Sequence, residues 1–344
     1  MLEKRRTTNV LLLLIAIPLV FYLLKVLSFI FIPLVFSMFI ALLFLPLMRY
    51  LGRRNVPKVV SILIVLFIVV SIVFIGVELI QLSGKQIVAS ESKFFEKAEI
   101  KLANLKTYLS EAFGISFNEN TTVLGSFFQQ DNLGTTLGFI RRFLTTLMMT
   151  IFFAVLWLGE SINVHKLLNA TLLKQKHTSI KAFIKIENDL IKFIKVKFMV
   201  SLLTGIGTGL MCLFFDVSFP IFWGLFAFVI NFVQMVGSFI SVILLSIFAF
   251  VEIEATSVLL FFMLAITGVQ VLFGAILEPI FMGKSFSINI ITVLVMLMFW
   301  GFLWGIPGLI MAIPITVFLK IILEQFEGTK VIAELISGKP ALES

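Results

Sequence analysis

The chain has 344 residues, 60% of them hydrophobic and only 13% charged, a balance that a soluble domain of this length could not solvate. Its net charge of +8 is carried between apolar runs, where membrane orientation accounts for it, so nucleic acid is not expected as a partner. The single cysteine, Cys212, excludes an intramolecular disulfide and a thiolate metal cluster.

Eight apolar segments follow one another along the chain, most near the roughly 20 residues that cross a bilayer and two of them longer than one span needs. They run Val10 to Leu27, Phe29 to Met48, Val59 to Leu82, Phe143 to Leu158, Phe198 to Phe215, Ile221 to Phe250, Ser257 to Leu277 and Ile288 to Leu323. The fold class expected is an all-α polytopic membrane protein of about 6–8 transmembrane helices, with two broken or re-entrant segments in its C-terminal half. Lys4, Arg5 and Arg6 precede the first segment without a clear small-residue cleavage site, so that segment is read as a retained helix.

Residues 1–82 therefore form the N-terminal transmembrane helices. Arg49, Arg53, Arg54 and Lys58 follow the second segment, which places that exit on the cytoplasmic side by the positive-inside rule. Residues 83–140 are near neutral and read as an extracytoplasmic helical insertion. In it Phe95, Ala98, Leu102, Leu105, Leu109 and Ala112 recur at three- and four-residue steps, an apolar seam suited either to the protein's own outer surface or to a subunit contact.

Residues 141–158 form the next transmembrane helix, and residues 159–197 a cytoplasmic basic amphipathic region. There Ile180, Phe183, Ile184, Leu190, Ile191 and Ile194 share a helix with Lys181, Lys185, Lys192 and Lys195, a pattern suited to anchoring at the lipid headgroups. Residues 198–323 make a C-terminal transmembrane bundle, and residues 324–344 a cytoplasmic tail. Within the bundle, residues 221–250 are interrupted at Asn231, Gln234, Gly237 and Ser238, and residues 288–323 at Gly301, Gly305, Pro307 and Gly308. If each of these segments spans once, Glu252 and Glu254 fall inside and Lys284 outside; if each is a re-entrant hairpin the placement reverses, which charge favours. Both arrangements keep the N- and C-termini cytoplasmic. Paired interruptions of this kind point to a transporter's solute path.

Enzyme signatures are missing. There is no H-E-x-x-H and no G-x-S-x-G, and His165 and His177 lie in the basic loop. Gly283-Lys284-Ser285 lacks the glycine and the strand of a phosphate-binding loop, so no cofactor, metal or ATP-driven step is expected. The candidate solute or ion path is Asn231, Gln234, Gly237, Gln270, Glu278, Gly305, Pro307 and Gly308. Asn231 and Gln234 share a face and offer amide groups to a solute or to a neighbouring helix. Gln270 lies two turns before Glu278 and roughly on its face. An acidic residue at the bilayer centre costs about 2.5–3.5 kcal/mol on insertion scales, so Glu278 reads either as a coupling residue or as the structural partner of Lys284. Pro307 and Pro314 remove N–H donors, and the carbonyls so freed offer ligands to a cation or a polar solute.

The order of elements resembles the AI-2E family of bacterial transporters, the autoinducer-2 exporter-like or PerM-like permeases. The resemblance rests on Phe44-Leu45-Pro46 through Arg53-Arg54-Asn55-Val56-Pro57, on Ser201-Leu202-Leu203-Thr204-Gly205, on Glu278-Pro279-Ile280-Phe281-Met282-Gly283-Lys284-Ser285 and on Gly305-Ile306-Pro307-Gly308-Leu309-Ile310-Met311-Ala312-Ile313-Pro314. Two departures stand out: Phe232 to Ser238 keeps the glycine but neither proline of the family's I-P-x-x-G-P element, and Ile288-Asn289-Ile290 stands where a proline is usual. The resemblance implies a secondary transporter or exporter of a small polar solute, an autoinducer-2-like signal among them, in a bacterial cytoplasmic membrane. Sodium(cation)/proton antiport is the alternative it also implies, and a non-transporting oligomeric membrane scaffold is the alternative of another class. The partners expected are the small polar solute or cation and proton, membrane lipid, and further copies of the chain in a homo-oligomer, a pentamer among the forms implied.

Overall fold

The computed structural model describes residues 14–16, 18–113, 145–160, 178–233, 236–283, 288–324 and 327–337, and every regular element among them is helical. The chain is an all-α polytopic membrane protein. Among the described residues, five helical stretches are long and apolar enough to cross a bilayer: Ser28–Arg53, Lys58–Gln86, Ile184–Phe214, Thr256–Met282 and Ile306–Leu323. Shorter apolar helices lie at Leu14–Val26, Thr145–Glu160, Pro220–Ile230, Val236–Glu252 and Ile290–Trp304. In chain order the helices are α1 (Leu14–Val26), α2 (Ser28–Arg53), α3 (Lys58–Phe113), α4 (Thr145–Glu160), α5 (Thr178–Phe214), α6 (Pro220–Ile230), α7 (Val236–Glu252), α8 (Thr256–Gln270), α9 (Glu278–Met282), α10 (Ile290–Trp304), α11 (Ile306–Leu323) and α12 (Lys330–Ser337). A π-helical turn, Val271–Leu277, joins α8 to α9.

Two compact units share these elements. The first comprises Met1–Ile68, Phe143–Val196 and Met282–Ser344, the second Val69–Arg142 and Lys197–Phe281. In the first unit α10 and α11 form a helical hairpin. Gly305 makes the break at φ 64° and ψ −139°, a conformation a side chain would strain, and Pro307 opens α11 where a missing N–H costs nothing. A Cβ at Gly308 would stand 1.9 Å from the Trp300 carbonyl oxygen, so only glycine lets the two arms meet. Asn289 caps α10, its Oδ1 accepting from the Ile291 N–H at 3.1 Å, which shows what starts this helix in place of the usual proline. Its own N–H donates to Ile336 O at 2.9 Å and so ties α10 to α12. Arg49 at the end of α2 pairs with Glu187 of α5, and the Trp304 indole N–H donates to Leu24 O at 3.0 Å.

In the second unit α6 and α7 form a similar hairpin, interrupted after Ile230. A Cβ at Gly237 would stand 1.9 Å from Ile230 O. At 11 residues α6 is about 16 Å long, too short for a hydrocarbon core of about 30 Å. Glycines also set α5 against its neighbours: a Cβ at Gly205 would lie 2.7 Å from Gly224 O of α6, and one at Gly207 2.9 Å from the Val269 side chain of α8. Around them Cys212, Trp223, Leu245, Ala249, Phe262 and Ile266 close an apolar core. Glu252 reaches from the end of α7 to accept from the Ser218 N–H at 2.6 Å, holding the turn between α5 and α6.

The helix α3 runs unbroken for 56 residues, so the apolar stretch Lys58–Gln86 continues as helix into the residues read as an insertion. Gly84 is its one potential breaker near that point, and a single glycine costs only about 1 kcal/mol within a helix. The Lys101 ammonium, far along α3, donates to Ile253 O at 3.2 Å. The side chains of the apolar seam at Phe95, Ala98, Leu102, Leu105, Leu109 and Ala112 lie outside the described residues.

Candidate functional site

Along α5, Lys197, Ser201, Thr204 and Thr208 fall at i, i+4, i+7 and i+11, one face of a helix, and all four are buried. Such a stripe in an apolar span is costly unless each group finds a partner. Lys197 finds Glu278: its ammonium donates to both carboxylate oxygens, at 2.9 and 3.0 Å, with the two side chains only 3% and 4% exposed. Ser201 Oγ accepts from Asn231 Nδ2 at 3.0 Å, which fastens the break between α6 and α7 to α5 one turn beyond Lys197. Thr204 turns its hydroxyl back to Val200 O at 2.9 Å.

Beside this stripe lies a cavity of about 350 Å³, lined by Lys197, Asn231, Ser238, Phe239, Val242, Thr267, Gln270, Val271, Gly274, Ala275 and Glu278. Its walls are mostly apolar, with a few polar side chains among them, the usual composition of a small-molecule site. Gln270 is buried, and among the described residues no donor reaches its Oε1. It is one of seven buried side-chain polar atoms without a partner among the described residues, and of these seven only Gln270 lines the cavity.

Of the residues singled out from sequence, Asn231, Gln270 and Glu278 line this cavity, and Gly237 packs the hairpin that carries Asn231. Gln234 lies outside the described residues. Gly305, Pro307 and Gly308 belong to the α10–α11 hairpin and are not among the lining residues. Pro307 stands where no helical N–H is needed, so it frees no carbonyl. Glu278, read from sequence either as a coupling residue or as the structural partner of Lys284, is paired with Lys197; Lys284 lies outside the described residues. Among the described residues no group of three or more His, Cys, Asp or Glu is placed to hold a metal ion.

The π-helical turn explains how Gln270 and Glu278 come to face one cavity. Eight residues of α-helix rotate about 800°, which leaves the second residue some 80° off the first. A π turn absorbs about one extra residue, and the remaining seven steps rotate about 700°, within roughly 20° of a common face. The Glu278 N–H accordingly donates to Phe273 O, five residues back.

Comparison with known proteins gives the family: the model of the AI-2E family transporters matches residues 11–328. The chain belongs to the AI-2E transporter family. It is 26% identical over 319 residues to the AI-2 transport protein TqsA of Escherichia coli strain K12, covering 89% of each chain. It is 33% identical over 160 residues to a protein of Borreliella burgdorferi named as a transport protein without a solute. That match covers 46% of this chain and 44% of the relative, so the chain aligns with less than half the length of that protein. A Haemophilus influenzae transport protein is 24% identical over 311 residues, 87% of each chain. As an AI-2E family member the chain is a multi-pass membrane transporter.

Proposed function

We propose that this transporter carries a small, uncharged polar solute through the cavity between α5, α7 and α8, and that Gln270, Asn231 and the Lys197–Glu278 pair are its polar lining. The observation that carries this reading is the unmet Gln270 Oε1 beside two charges that already satisfy each other. With the pair closed, such a site offers an acceptor to a hydroxyl or amide donor and no free charge to an ion. Autoinducer-2-like signals, named for one relative, fall within that chemistry. Cation/proton antiport needs Glu278 to release Lys197 before a cation can take its place, and non-transporting scaffolding leaves the unmet acceptor without a purpose. The charge of the loops supports both termini inside, and family resemblance supports a bacterial cytoplasmic membrane and assembly into a homo-oligomer.

The test is a metabolite inventory, inside and outside, of cells with and without the protein, followed by proteoliposomes loaded with the solutes that differ. Release is expected with the natural chain and lost in Glu278→Gln and Gln270→Leu while folded protein remains. Collapse of an imposed pH gradient on adding sodium would establish the antiport reading instead. Flux equal to that of empty vesicles across the whole panel would favour a scaffold.

A further inference from the structure

The π-helical turn does more than align two side chains. None of its seven residues, Val271–Leu277, is buried, whereas Gln270 before it and Glu278 after it both are. Within the turn, a Cβ at Gly274 would meet only Ser238 Oγ, at an ordinary 3.7 Å. Of these residues Phe273 lies against α5 beside Gly207, so side-chain contacts within the chain hold this turn at few points, and π hydrogen bonding is itself a rare arrangement confined to short stretches. What holds it is the far end: Glu278, bound by both oxygens to the buried Lys197.

We propose that this turn is the moving part of the site, passing between π and α registers. In the α register the residue on Gln270's face is the one seven positions on, Leu277, so Leu277 takes the place of Glu278 opposite Lys197. Glu278 rotates away by about 100°, one residue of helix. The ion pair opens, and an apolar group replaces a carboxylate in the wall of the cavity. Because opening leaves a buried ammonium without its carboxylate, the α register is the minor one and the pair is the spring that restores the π turn. The inference rests on the reading of the cavity as a solute site only for what the movement serves.

Thiol bridging in the full chain, with Cys212→Ala as background, reads the register directly. One variant carries Lys197→Cys with Glu278→Cys, the other Lys197→Cys with Leu277→Cys, and each is treated in vesicles with a short bifunctional methanethiosulfonate. Bridging of both pairs is the expected result; bridging at 197/278 with none at 197/277 overturns the proposal. Deleting Ile276 shortens the turn by one residue, so that a continuous α-helix keeps Glu278 on Lys197. In that background 197/278 bridging is retained and 197/277 bridging lost, and equal bridging of both pairs again overturns the idea. Should the deletion fail to fold, the comparison in the full-length chain decides alone. Bridging reports register and not flux, so this inference and the reading of the cavity can fail separately.

Discussion

The hairpins α6–α7 and α10–α11 use one backbone device for different ends. In each, a glycine in the first turn of the second arm lies against a carbonyl of the first, Gly237 on Ile230 and Gly308 on Trp300. In the first hairpin the break carries Asn231, buried and bonded to Ser201 at the edge of the cavity. In the second it carries an exposed Gly305, while Trp300 and Trp304 fill the arm behind it and Trp304 bonds to Leu24 of α1. A broken helix thus marks where a chain can reverse, and the polarity of the side chain at the break decides whether a site forms there.

The largest effect should treat the hairpins alike. Gly237→Ala and Gly308→Ala each force a methyl onto a backbone oxygen, and each is expected to lose at least about 3 kcal/mol, read as loss of monodisperse protein in detergent. A hairpin that tolerated its alanine would break the parallel. The next effect belongs to the cavity side alone: Glu278→Leu strands a buried Lys197 and costs about 3–5 kcal/mol, whereas Lys197→Met with Glu278→Leu returns stability to about the natural level. Thermal unfolding of the single and double variants measures the difference, and a double variant as unstable as the single one contradicts the pairing. Asn231→Leu leaves Ser201 without its donor and costs about 1–3 kcal/mol together with solute flux. Its counterpart Trp304→Phe costs about 1 kcal/mol and leaves flux intact. Smallest in stability is Gln270→Leu, which removes an unmet acceptor and is expected to change the melting temperature little while abolishing flux.

Both interruptions were legible in sequence, because Gly, Pro and amide residues in an apolar run have few other uses. Convergence of Asn231, Gln270 and Glu278 could be anticipated as well, since polar side chains among spans gather where they can bond. Lys197 could not be told from the seven other lysines between Glu160 and Lys197, and its partner lies 81 residues away. A signal existed in its four-residue step to Ser201 and onward to Thr204 and Thr208, a polar face in an otherwise apolar helix. Lys284 drew attention because it is near Glu278 in sequence, whereas a partner 81 residues away leaves no such trace. The π turn had no signature at all. Val-Leu-Phe-Gly-Ala-Ile-Leu is unremarkable as α-helix.

The cancelling charges of Lys197 and Glu278 also bear on energy supply. A membrane potential does work of about 2.3 kcal/mol on each elementary charge moved through 100 mV. The pair has no net charge while closed, so reorienting it together across the field is electrically silent. With an uncharged solute, any step that keeps the pair closed ignores voltage, and voltage dependence of transport would report the opening of the pair.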